Sequence, residues 1–390
     1  MYNLVDLFSG AGGITTGFSF DLGANYPEFT PSFRSVLAID NNKDSIQTYE
    51  TNFASNGLAA NIEQIIYKTL PDGRHRFSET AENVIVRRQI TIPQKVHVVV
   101  GGPPCQGFSQ LGRMNNWDRE DPRNLLWQYF IQMVKRLEPD IFLMENVPQL
   151  LTSKQGQEIL NEAHKLGYFL AQPKVLDASL YGVPQKRKRA FILGSRIGPI
   201  ELPEPTFEMR TVRDAFANLP EPSNDPLFIL RNPRPMSLER YQVIPEGGNR
   251  FDLMKARPDI TPRCWLEKPT GSTDVMGRLW WDKPSLTIRT EFFKPEKGRY
   301  LHPNQHRPIT HREAAALQTF PHDFEFTGSK IEIARQIGNA VPPVLSFQIA
   351  TNIHARLQDP LPVYGVNKTP NLVELKKKGL LRLNRNRNGR

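Results

Sequence analysis

A cysteine in the segment 101–109 is the residue of this chain that is best placed to do chemistry. The segment is Gly-Gly-Pro-Pro-Cys-Gln-Gly-Phe-Ser and follows an apolar run at 96–100, which is typical of a buried parallel strand. Cys105 would therefore lie at the carboxyl end of a strand, where open α/β sheets bind their ligands. The prolines fix the backbone before the thiol, and the glycines let another molecule approach it. The pattern indicates a nucleophile on a rigid turn; a buried, inert cysteine is the alternative.

Charged residues at two other strand ends could work with this thiol. Glu145 follows the apolar run 141–144, so it would lie at the same sheet edge as Cys105. A half-buried carboxyl group there could hydrogen-bond a ring nitrogen of a substrate, whereas helix capping is the alternative. Arg187 and Arg189 precede another apolar strand and would point to one face of it. They could hold a phosphate and a base carbonyl through forked hydrogen bonds, unless the run is only a solvated cluster of charge.

A glycine-rich turn predicts a cofactor site after the first strand. Residues 6–13 are Asp-Leu-Phe-Ser-Gly-Ala-Gly-Gly, and such glycines let a ligand approach a helix N-terminus. Thr15 stands where the dinucleotide fingerprint has its third glycine, so a pyrophosphate is not required. Asp40 would end the second strand and could accept hydrogen bonds from both ribose hydroxyls. Phe8 could stack on an adenine or pack in the core, and an adenosine-containing cofactor is therefore indicated.

The elements that would position these groups alternate between strand and helix. The predicted strands and helices lie at 4–8, 36–39, 96–100, 141–144 and 190–193, and at 124–137, 156–166, 311–319 and 331–337. The alternation predicts an α/β fold with a doubly wound, mixed and mostly parallel sheet. A polar, basic segment at 66–94 interrupts it and is interpreted as a surface insertion.

Proline content predicts a second domain. The region 198–310 holds about half of the 33 prolines of the chain, which excludes long helices and central strands. We expect a smaller, irregular, β-rich domain there and a catalytic and cofactor-binding domain at 1–197. Residues 311–357 would form a hinge and a helix that returns to the first domain, and 358–390 a basic, extended or disordered tail.

Composition limits the setting in which the protein works. The 390 residues carry a net charge of +10, which suggests a polyanionic partner, although much of the charge lies in the tail. Two cysteines are too few for a disulfide framework and lack metal-ligand spacing, so we expect a reducing, intracellular setting and no metal. There is neither a signal-peptide pattern nor an apolar run long enough to span a membrane.

Together these segments resemble the cytosine-C5 DNA methyltransferases. They occur in the order of that family: 6–13, Asp40, 101–109, Glu-Asn-Val at 145–147, Gln-x-Arg-x-Arg at 185–189, and the stretches 312–321 and 336–343. The resemblance implies a Rossmann-like methyltransferase fold, double-stranded DNA as substrate, and S-adenosylmethionine as cofactor with S-adenosylhomocysteine as product.

The resemblance also implies a mechanism. The target cytosine is flipped out of the duplex, and Cys105 adds to its carbon 6. Glu145 hydrogen-bonds the ring nitrogen and the exocyclic amine, and Arg189 holds the base carbonyl, with Arg187 nearby. Carbon 5 then takes the methyl group, and loss of its proton with elimination of Cys105 gives 5-methylcytosine.

Further binding residues follow from the resemblance. Those assigned to the cofactor are Phe8, Ser9, Gly10, Ala11, Gly12, Gly13, Asp40, Asn61, Ile62, Pro103, Leu126, Asn339, Ala340 and Val341. Those assigned to DNA are Ser109, Arg113 and Arg123 on a closing loop at 106–124, and Arg278, Thr287 and Arg289 in a target-recognition domain at 198–310. Asn61 stands where the family usually has an aspartate, but its amide oxygen could still accept a hydrogen bond from adenine.

The resemblance suggests a bacterial, archaeal or phage enzyme. We expect a monomer in the cytoplasm, associated with the nucleoid through DNA, that protects host DNA alongside a separately encoded restriction endonuclease; a solitary methyltransferase without such a partner is the alternative. One alternative is a transfer-RNA methyltransferase, but that branch carries a Cys-Phe-Thr signature, whereas here Cys264 is followed by Trp265 and Leu266. A catalytically inactive DNA-binding protein is the other alternative, and it would require loss of the cysteine or the glutamate.

Overall fold

The computed structural model describes most of the chain. The described residues are 1–20, 32–80, 88–104, 125–267, 270, 272–361 and 367–381. Cys105 and the predicted DNA contacts Ser109, Arg113 and Arg123 lie outside them.

Strands and helices alternate through the first half of the chain, as the sequence predicts. The strands are β1 Tyr2–Leu7, β2 Phe33–Asp40, β3 Gly57–Ala59, β4 Ile65–Thr69, β5 His75–Glu79, β6 Gln89–Ile92, β7 Val98–Gly101, β8 Ile141–Asn146, β9 Phe169–Leu170, β10 Lys174–Asp177, β11 Lys188–Ser195, β12 Gly277–Arg278 and β13 Arg299–Leu301. The helices are α1 Gly13–Ser19, α2 Lys43–Asn52, α3 Leu126–Leu137, α4 Lys154–Lys165, α5 Val212–Phe216, α6 Pro235–Val243, α7 Arg250–Ala256, α8 Arg263–Glu267, α9 His311–Leu317, α10 Lys330–Asn339, α11 Pro343–Gln358 and α12 Leu372–Lys377. None of these helices is long and apolar enough to cross a membrane.

The main sheet has the order β10-β11-β8-β7-β1-β2-β3, with β9 also paired to β11. β3, β2, β1, β7 and β8 run parallel, whereas β11 is antiparallel to β8 and β10. The chain winds outward from β1 through β2 and β3, and then outward in the other direction through β7 and β8. The sheet is therefore doubly wound, mixed and mostly parallel, as predicted, and its switch point lies between β1 and β7.

The parallel strands end level with one another. Leu7 is in register with Gly101, and Gly101 is in register with Met144. The turns that follow β1, β7 and β8 consequently start at the same edge, which we call the catalytic edge. Alternate apolar residues of these strands, such as Val5, Val99 and Phe142, form a buried core with one face of α3.

The insertion predicted at 66–94 is a three-stranded antiparallel sheet of β4, β5 and β6. Phe77 anchors it in the core of the main sheet. The hydroxyl of Tyr67 donates to the carbonyl of Arg136 at 3.0 Å, so β4 lies against the last turn of α3. Because β8 begins shortly after that turn, this end of the insertion is at the opposite edge from the catalytic edge.

The chain divides into two compact units. The first unit comprises 1–177, 188–205 and 345–390, and the second comprises 178–187 and 206–344. Compared with the predicted domain bounds, 178–187 and 311–344 are added to the second unit, and 198–205 belongs to the first. Side-chain hydrogen bonds described below explain both additions.

The second unit is irregular, as expected, but it contains fewer strands than we predicted. Its described strands are only β12 and β13, which pair in parallel, and short helices make up much of the rest. Proline does not exclude these helices, because it occupies their first turn, as Pro235 does in α6.

The expectation of an extended or disordered tail is wrong for residues 367–381. This segment contains α12, and Leu372 and Leu381 are buried in the core of the first unit. The apolar spacing of Leu372, Leu375 and Leu381 is the signal that the lysines of the tail obscured.

Candidate active site

The turn after β7 is anchored by a neighbouring strand end. The side-chain amide of Asn146, at the end of β8, donates to the carbonyl of Pro103 at 2.9 Å. Its oxygen accepts from the backbone N–H of Val147 at 2.8 Å, so both ends of the amide are engaged. A buried amide therefore holds the backbone two residues before Cys105.

Glu145 and Arg189 form an ion pair at the catalytic edge. Nε of Arg189 lies 2.7 Å from Oε1 of Glu145, and the two side chains are only 19% and 13% exposed. The attraction within such an ion pair is stronger where water is partly excluded. The strands explain the pairing, because β11 is antiparallel to β8 and Glu145 is in register with Phe191.

Gly102 leaves room for the carboxylate of Glu145. A Cβ at this position would lie 2.8 Å from Oε2 of Glu145, closer than real Cβ contacts allow. The glycine before the Pro-Pro-Cys sequence therefore allows the glutamate of β8 to approach the turn of β7.

Arg187 does not have the role predicted for it. It is 1% exposed and donates to the carbonyls of Ile288 and Gly338 at 3.0 Å and of Asn339 at 3.3 Å. The last carbonyls of a helix lack intrahelical partners, and the guanidinium satisfies those at the end of α10. The prediction that Arg187 assists at the base does not fit this burial, because the described hydrogen bonds of its guanidinium go to the backbone of the second unit.

The hydrogen bonds from Arg187 to the backbone around the end of α10 form what we call the clamp. Two buried glutamines add to this clamp, and neither was predicted from the sequence. Nε2 of Gln185 donates to Oε1 of Gln318 at 2.9 Å, and its Oε1 accepts from the N–H of Ile288 at 2.9 Å. Gln318 in turn donates to the carbonyl of Ile337. Both glutamines stand in segments that carried the resemblance, but polarity alone predicts exposed side chains there.

The glycine turn and Asp40 lie together, as predicted. The N–H of Gly10 donates to Oδ2 of Asp40 at 2.9 Å, and that of Asn42 donates to Oδ1 at 2.8 Å. Burial raises the pKa of Asp40 despite these hydrogen bonds. Gly10 has φ +53° and open space where a Cβ would project, so a ligand can approach its backbone.

Other residues of the first unit that were assigned to the cofactor lie near this turn or at the same sheet edge. Phe8 has a left-handed backbone conformation, which is unusual for a bulky residue and typical of functional turns. Ser9 donates its N–H to the carbonyl of Ile39, at the end of β2. Of the remaining assignments in the first unit, Ala11, Ile62 and Pro103 are buried, whereas Asn61 is exposed. Gly12 and Gly13 lie at the start of α1, and Leu126 lies at the start of α3. Asn339, Ala340 and Val341 end α10 and follow it in the second unit.

A buried polar chain supports the glycine turn from beneath. Thr15 donates to Oδ2 of Asp6 at 2.7 Å and accepts from the hydroxyl of Tyr49 at 2.8 Å. Burial raises the pKa of Asp6 to about 7, and the charge of Asp40 adds to the shift against the opposing hydrogen bond from Thr15. Thr15 departs from the dinucleotide fingerprint, and its hydroxyl here partners a buried carboxyl group.

The predicted DNA contact Arg278 is also a structural residue. It is 2% exposed and donates to the carbonyls of Tyr241, Ile244, His302 and Gln305. This side chain holds the core of the second unit, so its assignment to DNA is wrong.

The other two predicted contacts in the second unit differ in exposure. The hydroxyl of Thr287 donates to the carbonyl of Lys186 at 2.8 Å, which ties it to the segment 178–187. Arg289 is exposed and bonds Tyr300 and the carbonyl of Lys297. Thr287 and Arg289 both stay predicted DNA contacts, because Thr287 is partly exposed and Arg289 is exposed.

These features define a class of protein. A doubly wound sheet carries a glycine-rich turn after one strand of its switch point and a Pro-Pro-Cys sequence after the other. A paired glutamate and arginine stand at the adjoining strand end. This combination is that of a methyltransferase that acts on a carbon atom of a pyrimidine ring.

The chain belongs to the C-5 cytosine-specific DNA methylase family, which it matches over residues 2–355. It is therefore a DNA cytosine-5-methyltransferase, and the resemblance found in the sequence is confirmed.

Relatives and solved structures agree with this assignment. The Type II methyltransferase M1.HphI of Haemophilus parahaemolyticus is 35% identical, over 89% of this chain and 85% of that protein. The Type II methyltransferase M1.BsuMI of Bacillus subtilis is 32% identical, over 89% of this chain and 79% of that protein. A structure from Escherichia coli, described as a prophage-encoded DNA modification methyltransferase, has a TM-score of 0.64 at 24% identity and covers 92% of this chain and 100% of its own. At that identity the likeness shows the fold.

Proposed function

We propose that the protein methylates carbon 5 of a cytosine flipped out of duplex DNA, through a covalent adduct with Cys105, and that it modifies host DNA in a restriction-modification system. The observation that carries the mechanism is the Glu145–Arg189 pair beside Gly102, at the same sheet edge as the Pro-Pro-Cys sequence. An ion pair that served only the fold would not need a glycine beside its carboxylate. Here that glycine is Gly102, three residues before Cys105.

The residues of the chain divide the chemistry among them. Cys105, as a thiolate, forms a bond from sulfur to carbon 6 of the ring, and the ring electrons move toward carbon 5. Glu145 hydrogen-bonds the ring nitrogen and the exocyclic amine, so it stabilises the charge that develops. Arg189 pairs with Glu145 and donates Nη1 to the carbonyl of Lys188, and we assign its guanidinium to the base carbonyl as well. After methyl transfer the proton of carbon 5 leaves, and its electron pair expels the sulfur of Cys105.

The cofactor turn fits S-adenosylmethionine. Gly10 offers open space, and the carboxylate of Asp40 stands at the adjacent strand end, where it can accept from ribose hydroxyls. When bound, the cofactor supplies an electrophilic methyl group. Phe8 would stack on the adenine, and the resemblance also assigns Asn339, Ala340 and Val341 to the cofactor.

The curated relatives support a Type II setting. Proteins that are 30–35% identical over most of this chain are named Type II methyltransferases. We therefore infer a monomer that acts on double-stranded DNA at the nucleoid, in the cytoplasm, alongside a separately encoded restriction endonuclease.

Sequencing of methylated DNA tests this function. Unmethylated genomic DNA is incubated with the protein and S-adenosylmethionine, and 5-methylcytosine is mapped. We expect methylation within one short motif, its loss in Cys105→Ser, and its retention in the matched control Cys264→Ser. Methylation of transfer RNA but not of DNA would show that transfer RNA is the substrate. Methylation by Cys105→Ser would contradict the mechanism.

A further inference from the structure

The folded tail is tied to the first unit through backbone hydrogen bonds. The side-chain amide of Asn367 donates to the carbonyl of Leu170 at 2.9 Å and accepts from its N–H at 3.0 Å, as a paired strand would. The side chain of Gln157 accepts from the N–H of Leu372 at 3.0 Å and donates to the carbonyl of Pro370 at 3.1 Å. Two bidentate amides therefore fix the path of the tail before α12 starts.

Apolar packing then fixes α12 itself. Leu372 and Leu381 are 3% and 4% exposed within the core of the first unit. A Cβ at Gly156 would lie 3.1 Å from a methyl group of Leu372 and 2.3 Å from the carbonyl of Leu150. Leu372 thus lies where the first turn of α4 meets the 3₁₀ helix Pro148–Thr152.

This contact places α12 near the catalytic edge. The 3₁₀ helix Pro148–Thr152 follows Glu145 and Asn146 at the carboxyl end of β8. An α-helix rises about 1.5 Å per residue, so the residues four to six positions after Leu372 are within roughly 10 Å of it along the axis.

Those residues are Lys376, Lys377 and Lys378, which we call the tail patch. All three are exposed, and none forms an ion pair with another described residue. The acidic residues of the described tail are Asp359 and Glu374, and Glu374 lies three and four positions before Lys377 and Lys378. Three adjacent ammonium groups repel one another, and a polyanion would relieve that repulsion.

We propose that the tail patch binds the phosphate backbone of double-stranded DNA that flanks the target site. The proposal rests on DNA being the substrate. It also holds that the tail binds DNA from a fixed position on the first unit and not as a freely moving basic arm. Successive side chains of a helix point about 100° apart, so the three lysines spread over one side of the tail, and their long stems let the ammonium groups reach separate phosphates.

Salt dependence of binding measures the patch directly. The triple variant Lys376→Ala, Lys377→Ala, Lys378→Ala is compared with the intact protein by anisotropy of a fluorescein-labelled mixed-sequence duplex, between ~50 and ~200 mM salt. The slope of log K against log salt should fall by about 0.9 for each phosphate that the variant no longer binds, or about 2.7 for all three.

The matched control removes three positive charges elsewhere. Lys68, Arg76 and Lys135 lie on the insertion and the last turn of α3, at the opposite edge of the sheet, and all are changed to alanine. We expect this variant to keep the slope of the intact protein. Equal losses in both triple variants, or no loss in either, would overturn the proposal.

A variant that frees the tail without changing its charge tests the placement. The double variant Leu372→Ser, Leu381→Ser should lose as much affinity for the duplex as the variant without the three lysines. If the double variant does not fold, Asn367→Ala is used in its place. If a variant with a freed tail bound the duplex as tightly as the intact protein, the claim that the tail must be held in a fixed position would be overturned. Each preparation is also assayed for methylation of genomic DNA, so a failure of the patch and a failure of the proposed function are told apart.

Discussion

At the residue scale, the chemistry depends on how Glu145 meets its neighbours. Its carboxylate is paired with Arg189 on one side and faces Gly102 on the other. The types of these residues and their strand-end positions were evident in the sequence. Their pairing was not, because it depends on the antiparallel register of β11 against β8. Arg187 and Arg189 are two positions apart and have different roles, which no pattern of charge could reveal.

Glu145→Gln tests the carboxylate. The amide keeps the shape of the side chain but removes its charge, so we expect kcat to fall by roughly 10²-fold or more while DNA binding is retained. Initial rates of methyl transfer and duplex binding measure the two effects. A kcat within about threefold of the intact protein would contradict the role of Glu145.

Gly102→Ala tests the space beside that carboxylate. The added methyl group would meet Oε2 of Glu145 at 2.8 Å and displace it from its place at the edge. We expect a fall in kcat of about tenfold or more with a small change in melting temperature. Gly167→Ala, after the end of α4, where a Cβ has open space but φ is +85°, is the comparison for backbone effects alone.

Asp6 gives a pH dependence of stability with a definite sign. Burial raises its pKa in the folded chain from the ordinary 3.8 to about 7. The folded state therefore holds a proton that the unfolded state releases. The contribution of Asp6 to the free energy of unfolding is full below about pH 4 and is lost as the pH rises to about 7.

Urea unfolding of the intact protein and of Asp6→Asn between pH 5 and 8 measures this contribution. The difference between the two should change by about 1.4 kcal/mol per pH unit up to pH 7 and level off above it. The exposed Asp323→Asn is the control. A difference that stays constant across this range would show that Asp6 does not hold the proton.

At the element scale, the strands and helices follow from hydrophobic periodicity, and most of their positions could be predicted. β7, β8 and β11 are apolar runs, and the helices α3 and α4 show one apolar face each. The tail helix α12 could not be predicted with the same ease, because the residues that anchor it are single leucines among lysines. The clamp around α10 was hidden as well, since it depends on buried amides and a buried guanidinium.

The same substitution at two neighbouring arginines separates the clamp from the catalytic edge. Arg187→Lys leaves carbonyls of Ile288, Gly338 and Asn339 without donors, and we expect it to lower stability by roughly 3 kcal/mol. Arg189→Lys keeps the charge beside Glu145 but loses the fork toward the base, so it should lower kcat with a smaller change in melting temperature. Thermal unfolding and initial rates measure both variants, and a reversed pattern would contradict these roles.

At the scale of the whole molecule, the fold class was predictable because alternating elements leave few arrangements. The division into two units was predicted in outline from the change in proline content. Its bounds were not, because the segments 178–187 and 311–344 join the second unit through the side chains of Gln185, Arg187 and Gln318. Long-range polar contacts of this kind leave no local pattern.

The central claim is that Cys105 forms a covalent bond with a cytosine in DNA, and trapping that bond tests it most directly. Genomic DNA copied with 5-fluorocytosine in place of cytosine carries a fluorine where the proton of carbon 5 must leave, so the adduct cannot eliminate. With S-adenosylmethionine we predict a protein–DNA adduct that survives denaturation, is absent in Cys105→Ser and is retained in Cys264→Ser. No adduct with the intact protein, or an adduct that persists in Cys105→Ser, would contradict this mechanism.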